Sequence, residues 1–240
     1  MAAGWRVEVV GDGFAERMAA RPIGERSIVV LDVARPTLVL GSSQKDDAVD
    51  RARAEARGVD VVRRRSGGAA VLVEPEAAVW VDVTIPHGDP LWDDDVGRAF
   101  HWLGAAWAEV VAGEQRSGSH GAGGPDRAGG VGGVGGDVRM YDGPMVKTAW
   151  SPQVCFAGLG PGEVTVAGRK VVGLSQRRTR EATLFQCCAA LRWEPERLLD
   201  LLTLDDATRA RGALELRDVA AGLGPRPDLP AALVEAVSRR

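Results

Sequence analysis

Arg63-Arg64-Arg65-Ser66-Gly67-Gly68-Ala69-Ala70-Val71 is the stretch of sequence that says most about the fold. The apolar residues at 59–63 predict a β-strand that leads into this stretch. Two successive glycines leave the backbone without side chains, so its N–H groups can approach negatively charged oxygens. The arginines add positive charge. The stretch therefore predicts an anion-binding turn at the end of a strand.

A second segment, Gly168-Arg169-Lys170-Val171-Val172-Gly173, follows about a hundred residues later. Lys170 is flanked by apolar residues on a predicted strand, and its ammonium group can meet a phosphate or carboxylate as a point charge. Arg169 points to the opposite face of a strand, so we expect it to be dispensable. Each segment alone is also compatible with a solvated strand end or a surface hairpin. Together they favour a binding site.

Composition sets the outer limits of function. The chain has 240 residues, 45% of them hydrophobic, which is enough for one sizeable core. A net charge of -3 argues against a nucleic-acid binder. Three cysteines do not make a disulfide framework, and no apolar run approaches the roughly 18 residues of a membrane span. We therefore expect a cytoplasmic protein with no nucleic-acid or membrane partner.

The hydrophobic pattern predicts an α/β domain with a mixed β-sheet flanked by helices. Residues 1–240 are predicted to form a single domain with a flexible Gly-rich loop at 117–137 and a C-terminal helical extension at 204–240. Helices are predicted at 12–20, 46–57, 91–111, 195–202, 214–223 and 229–239. Strands are predicted at 27–33, 37–40, 59–63, 70–73, 78–85, 163–166, 170–173 and 183–193.

These segments resemble motifs of the lipoate-protein ligase and octanoyltransferase family, whose catalytic domain is shared with biotin ligases. The family's Arg-Arg-x-Ser-Gly-Gly-Gly-Ala-Val motif is matched at 63–71, except that Ala69 replaces the third glycine. Its lysine strand is matched at 168–176, and its Gly-x-x-Gln strand end at 41–44. The resemblance spans about 25–203. Other departures are Val73-Glu74 for a His-Asp pair, Ala77 for an asparagine, and Gly162-Glu163 for an Asn-Asp pair.

The resemblance implies the ligase catalytic fold and, as the favoured function, activation of lipoic or octanoic acid with ATP. The acyl-adenylate would then donate its acyl group to a lysine of a lipoyl domain or of a glycine-cleavage H-type protein. By the same resemblance, Lys170 is the catalytic residue and Glu163 a ligand of Mg²⁺. The implied residues for binding the substrate and ATP are Gly41, Arg64, Ser66, Gly67, Gly68, Ala69, Ala70, Val71 and Gly173.

Cys155 supports an alternative function. In the octanoyltransferase branch of the family, a cysteine takes the acyl chain from an acyl carrier protein as a thioester, without ATP. Cys155 lies fifteen residues before Lys170, which resembles that placement. A buried structural cysteine is the simpler interpretation. A non-catalytic acyl- or carrier-binding relative is a third hypothesis, motivated by the residues at 69, 73 and 77, and biotin attachment ranks below it.

Overall fold

The computed structural model describes residues 4–11, 13–20, 24–117 and 135–240, which form two β-sheets and six helices. The predicted loop at 117–137 lies largely outside these residues. None of the helices in the described ranges is long and apolar enough to cross a membrane. The strands are β1 (Arg6–Val10), β2 (Ser27–Leu31), β3 (Thr37–Leu40), β4 (Asp60–Arg63), β5 (Val71–Val73), β6 (Ala78–Pro86), β7 (Val138–Met140), β8 (Val164–Val166), β9 (Arg169–Arg178) and β10 (Ala182–Ala190). The helices are α1 (Phe14–Ala19), α2 (Arg51–Ala56), α3 (His101–Ser117), α4 (Pro195–Asp200), α5 (Asp206–Leu216) and α6 (Leu229–Ser238).

The larger sheet has seven strands in the order β1-β2-β6-β10-β9-β8-β7. Strand β1 runs parallel to β2, and the other neighbours are antiparallel, so the predicted mixed sheet is confirmed. Alternate residues of β10 enter different cores, as the two-residue period of a strand requires. Phe185 and Cys187 pack in one core with Trp107 of α3 and Leu233 of α6. The helices therefore cover one face of this sheet.

The smaller sheet, β4-β3-β5, lies against the opposite face. Its β3 is parallel to β4 and antiparallel to β5. Val39 and Val71 pack in one core with Trp80 of β6 and Cys188 of β10. Because β4 leads into the turn at 64–70, this packing brings the turn onto the central strands of the large sheet.

Helix α3 begins at His101, after a short 3-10 turn at Arg98–Phe100, and not at 91 as the apolar spacing predicts. The preceding segment is held by side chains that bind its own backbone. The Asp95 carboxylate accepts hydrogen bonds from the N–H groups of Gly97 and Arg98 at 2.9 and 2.8 Å. Aspartates that bond locally in this way compete with helix formation.

The predicted helix at 214–223 is wrong, because α5 occupies Asp206–Leu216 instead. Asp205 caps its start, since its carboxylate accepts the Thr208 N–H at 2.7 Å. Beyond α5 the chain runs alongside β9, and the Ala221 N–H donates to the Lys170 carbonyl at 2.9 Å. The predicted helix at 46–57 is also interrupted, by Val49 and Asp50, between a 3-10 turn at Asp46–Ala48 and α2.

Candidate functional site

Arg64 folds back on its own turn. Its side chain is 2% exposed and donates to the carbonyl oxygens of Gly67 at 2.8 Å, Ala69 at 3.0 Å and Val39 at 3.3 Å. A buried guanidinium needs such acceptors, and here the oxygen acceptors are all backbone atoms. In the structure Arg64 therefore shapes the turn from inside. Its predicted contact with a bound ligand stays a prediction.

Glycine is required at one position of this turn and at one position of the segment packed against it. Gly68 has φ of 95°, and a Cβ there would lie 2.7 Å from Arg64 Nη2 and 3.4 Å from Cys155 Sγ. A Cβ on Gly41, at the end of β3, would lie 1.8 Å from the Gly68 carbonyl oxygen. The Gly41 N–H donates to Gln44 Oε1 at 3.0 Å. Two separate sequence motifs thus meet where the backbones pack closely.

Ser66 faces the sheet and lies outside the cavity described below. Its hydroxyl donates to Gln186 Oε1 at 2.7 Å and lies 2.8 Å from Ser175 Oγ. Gln186 Nε2 in turn donates to Asp82 Oδ1 at 3.4 Å. Burial raises the pKa of Asp82 to about 6, against hydrogen bonds from Trp80 and Gln186 that lower it. This buried polar chain ties the turn to β6 and β10.

The sequence analysis did not identify the residues that hold the turn through hydrogen bonds, which are Gln186, Ser175 and Asp82. The signal for Gln186 is an amide inside the apolar run of β10. Buried polar side chains are hydrogen-bonded, so a buried amide in a central strand indicates a partner arriving from another element.

The ammonium group of Lys170 is buried and fully satisfied. It donates to the carbonyl oxygens of Cys155 at 3.1 Å and Gly158 at 3.0 Å, and lies 2.8 Å from Glu163 Oε2. It also lies 5.0 Å from the centroid of the Phe156 ring. An ammonium has three N–H donors, so the three oxygens use all of them. Lys170 therefore holds the Cys155 segment while keeping a positive charge beside it.

Gly173 leaves room for that lysine, since a Cβ there would lie 3.3 Å from Lys170 Cε. The predicted site residues Ala70 and Val71 are buried and lie on the segment that leads from the turn into β5. Val71 belongs to the core between the two sheets.

Glu163 is occupied by protein partners. Besides its ion pair with Lys170, its Oε2 accepts the Gly160 N–H at 2.7 Å and its Oε1 accepts the Leu174 N–H at 3.1 Å. Among the described residues, no group of three or more His, Cys, Asp or Glu could hold a metal ion. The residues present do not fit Mg²⁺ at this position. Glu163 instead compensates the buried charge of Lys170.

Cys155 is placed by the turn itself. Its N–H donates to the Ala70 carbonyl at 3.0 Å, and the Ala70 N–H donates to the Gln153 carbonyl at 3.1 Å. Its side chain is half-buried, and Sγ lies 3.9 Å from Arg64 Nη2.

Cys187 and Cys188, in contrast, lie in the cores on either face of β10. Burial raises the pKa of the Cys188 thiol to about 12. Among the three cysteines, Cys155 is the one that borders a cavity next to Lys170.

A cavity of about 330 Å³ brings the turn and the lysine strand together. Gly67, Gly68 and Ala69 form one wall, and Cys155 and Lys170 another. Within the described residues, the peptide N–H groups of 67–69 have no hydrogen-bond acceptor. The remaining wall is largely apolar and includes Val96, Phe100, Met145 and Leu174. The cavity thus brings together Cys155, Lys170, the glycine turn and an apolar wall.

A wider cleft of about 750 Å³ lies between α2, α4 and α5. Its charged side chains pair with one another, Arg57 with Asp200 and Arg197 with Glu74. Charged groups that pair in this way stabilise the fold. The cleft is also lined by no cysteine.

Comparison with known proteins identifies the fold as that of lipoate-protein ligase catalytic domains. A bi-partite lipoate protein ligase from Thermoplasma acidophilum superposes with a TM-score of 0.67 at 15% identity, over 99% of this chain and 83% of that chain. A lipoate-protein ligase A bound with ATP superposes with a TM-score of 0.59 at 15% identity, over 100% and 85%.

Sequence comparison finds similar proteins over part of the chain. The model of the lipoyl protein ligase A/B catalytic domain matches residues 15–119. Octanoyltransferase LipM of Carboxydothermus hydrogenoformans is 28% identical over 183 residues, which cover 75% of this chain and 59% of that protein. These matches make the chain similar to lipoate-protein ligases and octanoyltransferases over part of its length.

Proposed function

We propose that this protein is an acyltransferase that carries an octanoyl or lipoyl group on the sulfur of Cys155. The group comes from an acyl thioester, as on an acyl carrier protein, and passes to a lysine of a lipoyl-domain or H-type acceptor. This is the alternative function of the sequence analysis, and the geometry of the site favours it over ATP-dependent ligation.

The observation that carries the proposal is the position of Cys155 Sγ in the cavity wall. The sulfur lies 3.9 Å from Arg64 Nη2, and its own backbone carbonyl accepts from Lys170. A guanidinium therefore lies beside the half-buried thiol, and an ammonium binds the backbone of the same residue at the edge of an apolar slot. Positive charge beside a sulfur stabilises the negative charge that it carries as a nucleophile and as a leaving group.

In the first step, the sulfur of Cys155 bonds to the carbonyl carbon of the donor thioester. The bond between that carbon and the donor sulfur breaks, and the proton of the Cys155 thiol ends on the donor thiol. Negative charge develops on the carbonyl oxygen meanwhile. Residues 67–69 line the cavity, and their peptide N–H groups, which have no acceptor within the described residues, are suited to stabilise it.

In the second step, the amine of the acceptor lysine attacks the same carbon. A carbon–nitrogen bond forms, the bond to Cys155 breaks, and one amine proton returns to the sulfur. The ammonium of Lys170 lies at the cavity wall, where it can exchange the Gly158 carbonyl for the acyl oxygen. The apolar wall, including Phe100 and Leu174, would hold the hydrocarbon chain.

The ATP-dependent ligase is the second candidate function. It is supported by a polar cavity of about 550 Å³ that adjoins the Gly68 turn and could take a nucleotide phosphate. Glu163 lines the 330 Å³ cavity and not this one, and its carboxylate is occupied by Lys170 and two backbone N–H groups, so it does not fit Mg²⁺.

The two candidates are separated by mass spectrometry of an apo lipoyl domain incubated with this protein. One reaction contains octanoyl carrier protein without ATP, and the other contains octanoate with Mg-ATP. We expect modification only from the carrier donor, and its loss in Cys155→Ser. Modification only with ATP, undiminished in Cys155→Ser, would establish the ligase. The matched control is Cys188→Ala, a cysteine of the core.

A further inference from the structure

Lysine is rare in this chain and is confined to one place. The sequence has 30 lysines and arginines, of which three are lysines: Lys45, Lys147 and Lys170. All three line two adjoining cavities, Lys147 and Lys170 the first and Lys45 and Lys147 the second. Elsewhere the chain uses arginine as its cation.

The second cavity, of about 550 Å³, adjoins the first at Gly68 and Ala69 and is not lined by Cys155. Its walls share Gly68, Ala69, Lys147 and Ser151 with the first cavity. Unlike the first, it is lined mainly by polar residues and lacks large apolar side chains. The additional residues are Ser43, Gln44, Lys45, Asp47, Ala48, Thr148 and Pro152.

The two lysines of this second cavity are unpaired. Within the described residues, neither Lys45 nor Lys147 has an ion pair or a side-chain hydrogen bond, whereas Lys170 is paired with Glu163. Asp47 in the same wall is also without an ion pair, so the cavity wall has a net positive charge. Two free ammonium groups around a concave polar surface favour a ligand with a negative charge.

We propose that this second cavity binds the phosphate ester of the acyl donor. A carrier protein presents its acyl thioester on a phosphopantetheine arm, which has a phosphodiester at one end and the thioester at the other. With the phosphate held by Lys45 and Lys147, the arm passes the Gly68–Ala69 turn and delivers the thioester to Cys155. The inference rests on the proposed function, and the other source of the same chemistry is the phosphate of an acyl-adenylate.

The test compares two small donors that differ in the phosphate alone, octanoyl-phosphopantetheine and octanoyl-pantetheine. The rate of octanoyl attachment to Cys155 is followed by intact mass spectrometry, and the ratio of kcat/KM for the two donors is the readout. We expect the wild-type protein to prefer the phosphorylated donor. That ratio should fall about tenfold or more in Lys45→Gln/Lys147→Gln, because each lysine supplies a charge-assisted contact.

A double variant with the same loss of charge, Arg35→Gln/Arg169→Gln, is the matched control and should keep the wild-type ratio. A wild-type ratio near one overturns the phosphate site and leaves the acyltransferase in place. So does an equal fall of the ratio in both double variants, which would indicate only a long-range effect of net charge.

The acyl-adenylate is tested with octanoyl-sulfamoyl-adenosine, a stable analogue, by calorimetry. One outcome is that neither thioester acylates Cys155, while the analogue binds and loses affinity in the lysine double variant. The phosphate bound in the second cavity is then that of an acyl-adenylate, and both the pantetheine assignment and the proposed function are wrong. If the thioesters react with the expected ratio and the analogue does not compete, the pantetheine source is established.

Discussion

At the scale of single residues, Gly68 lies where the turn packs closely against Arg64 and Cys155. A side chain there would be strained by φ of 95° and would push on Arg64 Nη2 at 2.7 Å. We expect Gly68→Ala to lower kcat/KM for acyl transfer by about a hundredfold, the cost of a small misplacement of reacting groups. The control is Gly67→Ala, since a Cβ on Gly67 meets no atom within 4 Å. Equal losses in the two variants would contradict this account of the turn.

Lys170 and Glu163 form a buried ion pair whose structural and functional roles can be separated. Lys170→Ala should abolish transfer and destabilise the fold by about 3–5 kcal/mol, because Glu163 keeps its charge without its partner. The free energy of unfolding in urea and the transfer rate are both measured.

The double variant Lys170→Met/Glu163→Gln carries no buried charge at this position. We expect it to recover most of the lost stability and none of the lost transfer. Recovery of both would mean that the lysine is a structural residue only.

The motif residues found from the sequence divide into two groups in the structure. Gly67, Gly68 and Lys170 line the cavity, as the pattern suggests. Arg64 and Ser66 point into the protein, and nothing in the motif itself shows this. Side-chain direction at the end of a strand depends on which sheet packs against it, and that is a property of the tertiary fold.

At the scale of elements, most strand positions were predictable, but β1, β7 and several helix starts were not. The predicted strand at 37–40 coincides with β3, because its short apolar run is bounded by turn residues. The helix predicted from 91 fails because Asp95 binds the backbone of the residues that follow it. The helix predicted from 214 fails because the cap at Asp205 starts α5 earlier. Local polar bonds decided both boundaries.

The buried chain that links the turn to β6 and β10 makes stability depend on pH. Burial raises the folded-state pKa of Asp82 from 3.8 to about 6. Between these pH values the folded state binds more protons than the unfolded state. The stabilising contribution of Asp82 to the free energy of unfolding is therefore full below pH 4 and is lost as the pH rises through 6. The loss is on the order of 3 kcal/mol.

Asp82→Asn removes this titration. We expect the free energy of unfolding of the wild type, taken relative to that of Asp82→Asn, to fall between pH 4 and pH 7. The measurement is urea denaturation of both proteins at several pH values. A constant difference across this range would show that Asp82 titrates normally in the folded protein.

At the scale of the whole molecule, one buried ion pair fastens the start of β2 to the loop after β6. Arg26 donates to both oxygens of Asp89 at 2.5 and 2.8 Å, and both side chains are almost fully buried. Arg26→Ala should lower the free energy of unfolding by about 3–5 kcal/mol, since it leaves Asp89 buried and unpaired.

Arg6→Ala provides the comparison, because it breaks an ion pair with Glu25 in which both side chains are more than half exposed. Such pairs contribute about 0–1 kcal/mol. In thermal and urea denaturation, Arg26→Ala should lose clearly more stability than Arg6→Ala. Similar effects would mean that burial at Asp89 is not what makes its pair important.

The two-sheet arrangement explains why the site lies where it does. The class of fold followed from the strand pattern and from the family resemblance, but the pattern does not state how two sheets pack. That packing carries the turn after β4 across β10 and meets the segment at 153–155, so that Cys155 and Lys170 reach one cavity. Cys155 and Lys170, which are fifteen residues apart in the sequence, are thus in direct contact.

The measurement that tests the central claim most directly is the intact mass of this protein after incubation with octanoyl carrier protein alone, without acceptor or ATP. The account predicts one octanoyl group per chain, mapped to Cys155 by peptide analysis, absent in Cys155→Ala and lost when an apo lipoyl domain is added. No adduct, while acceptor is still modified, would contradict a role for Cys155 as the acyl carrier.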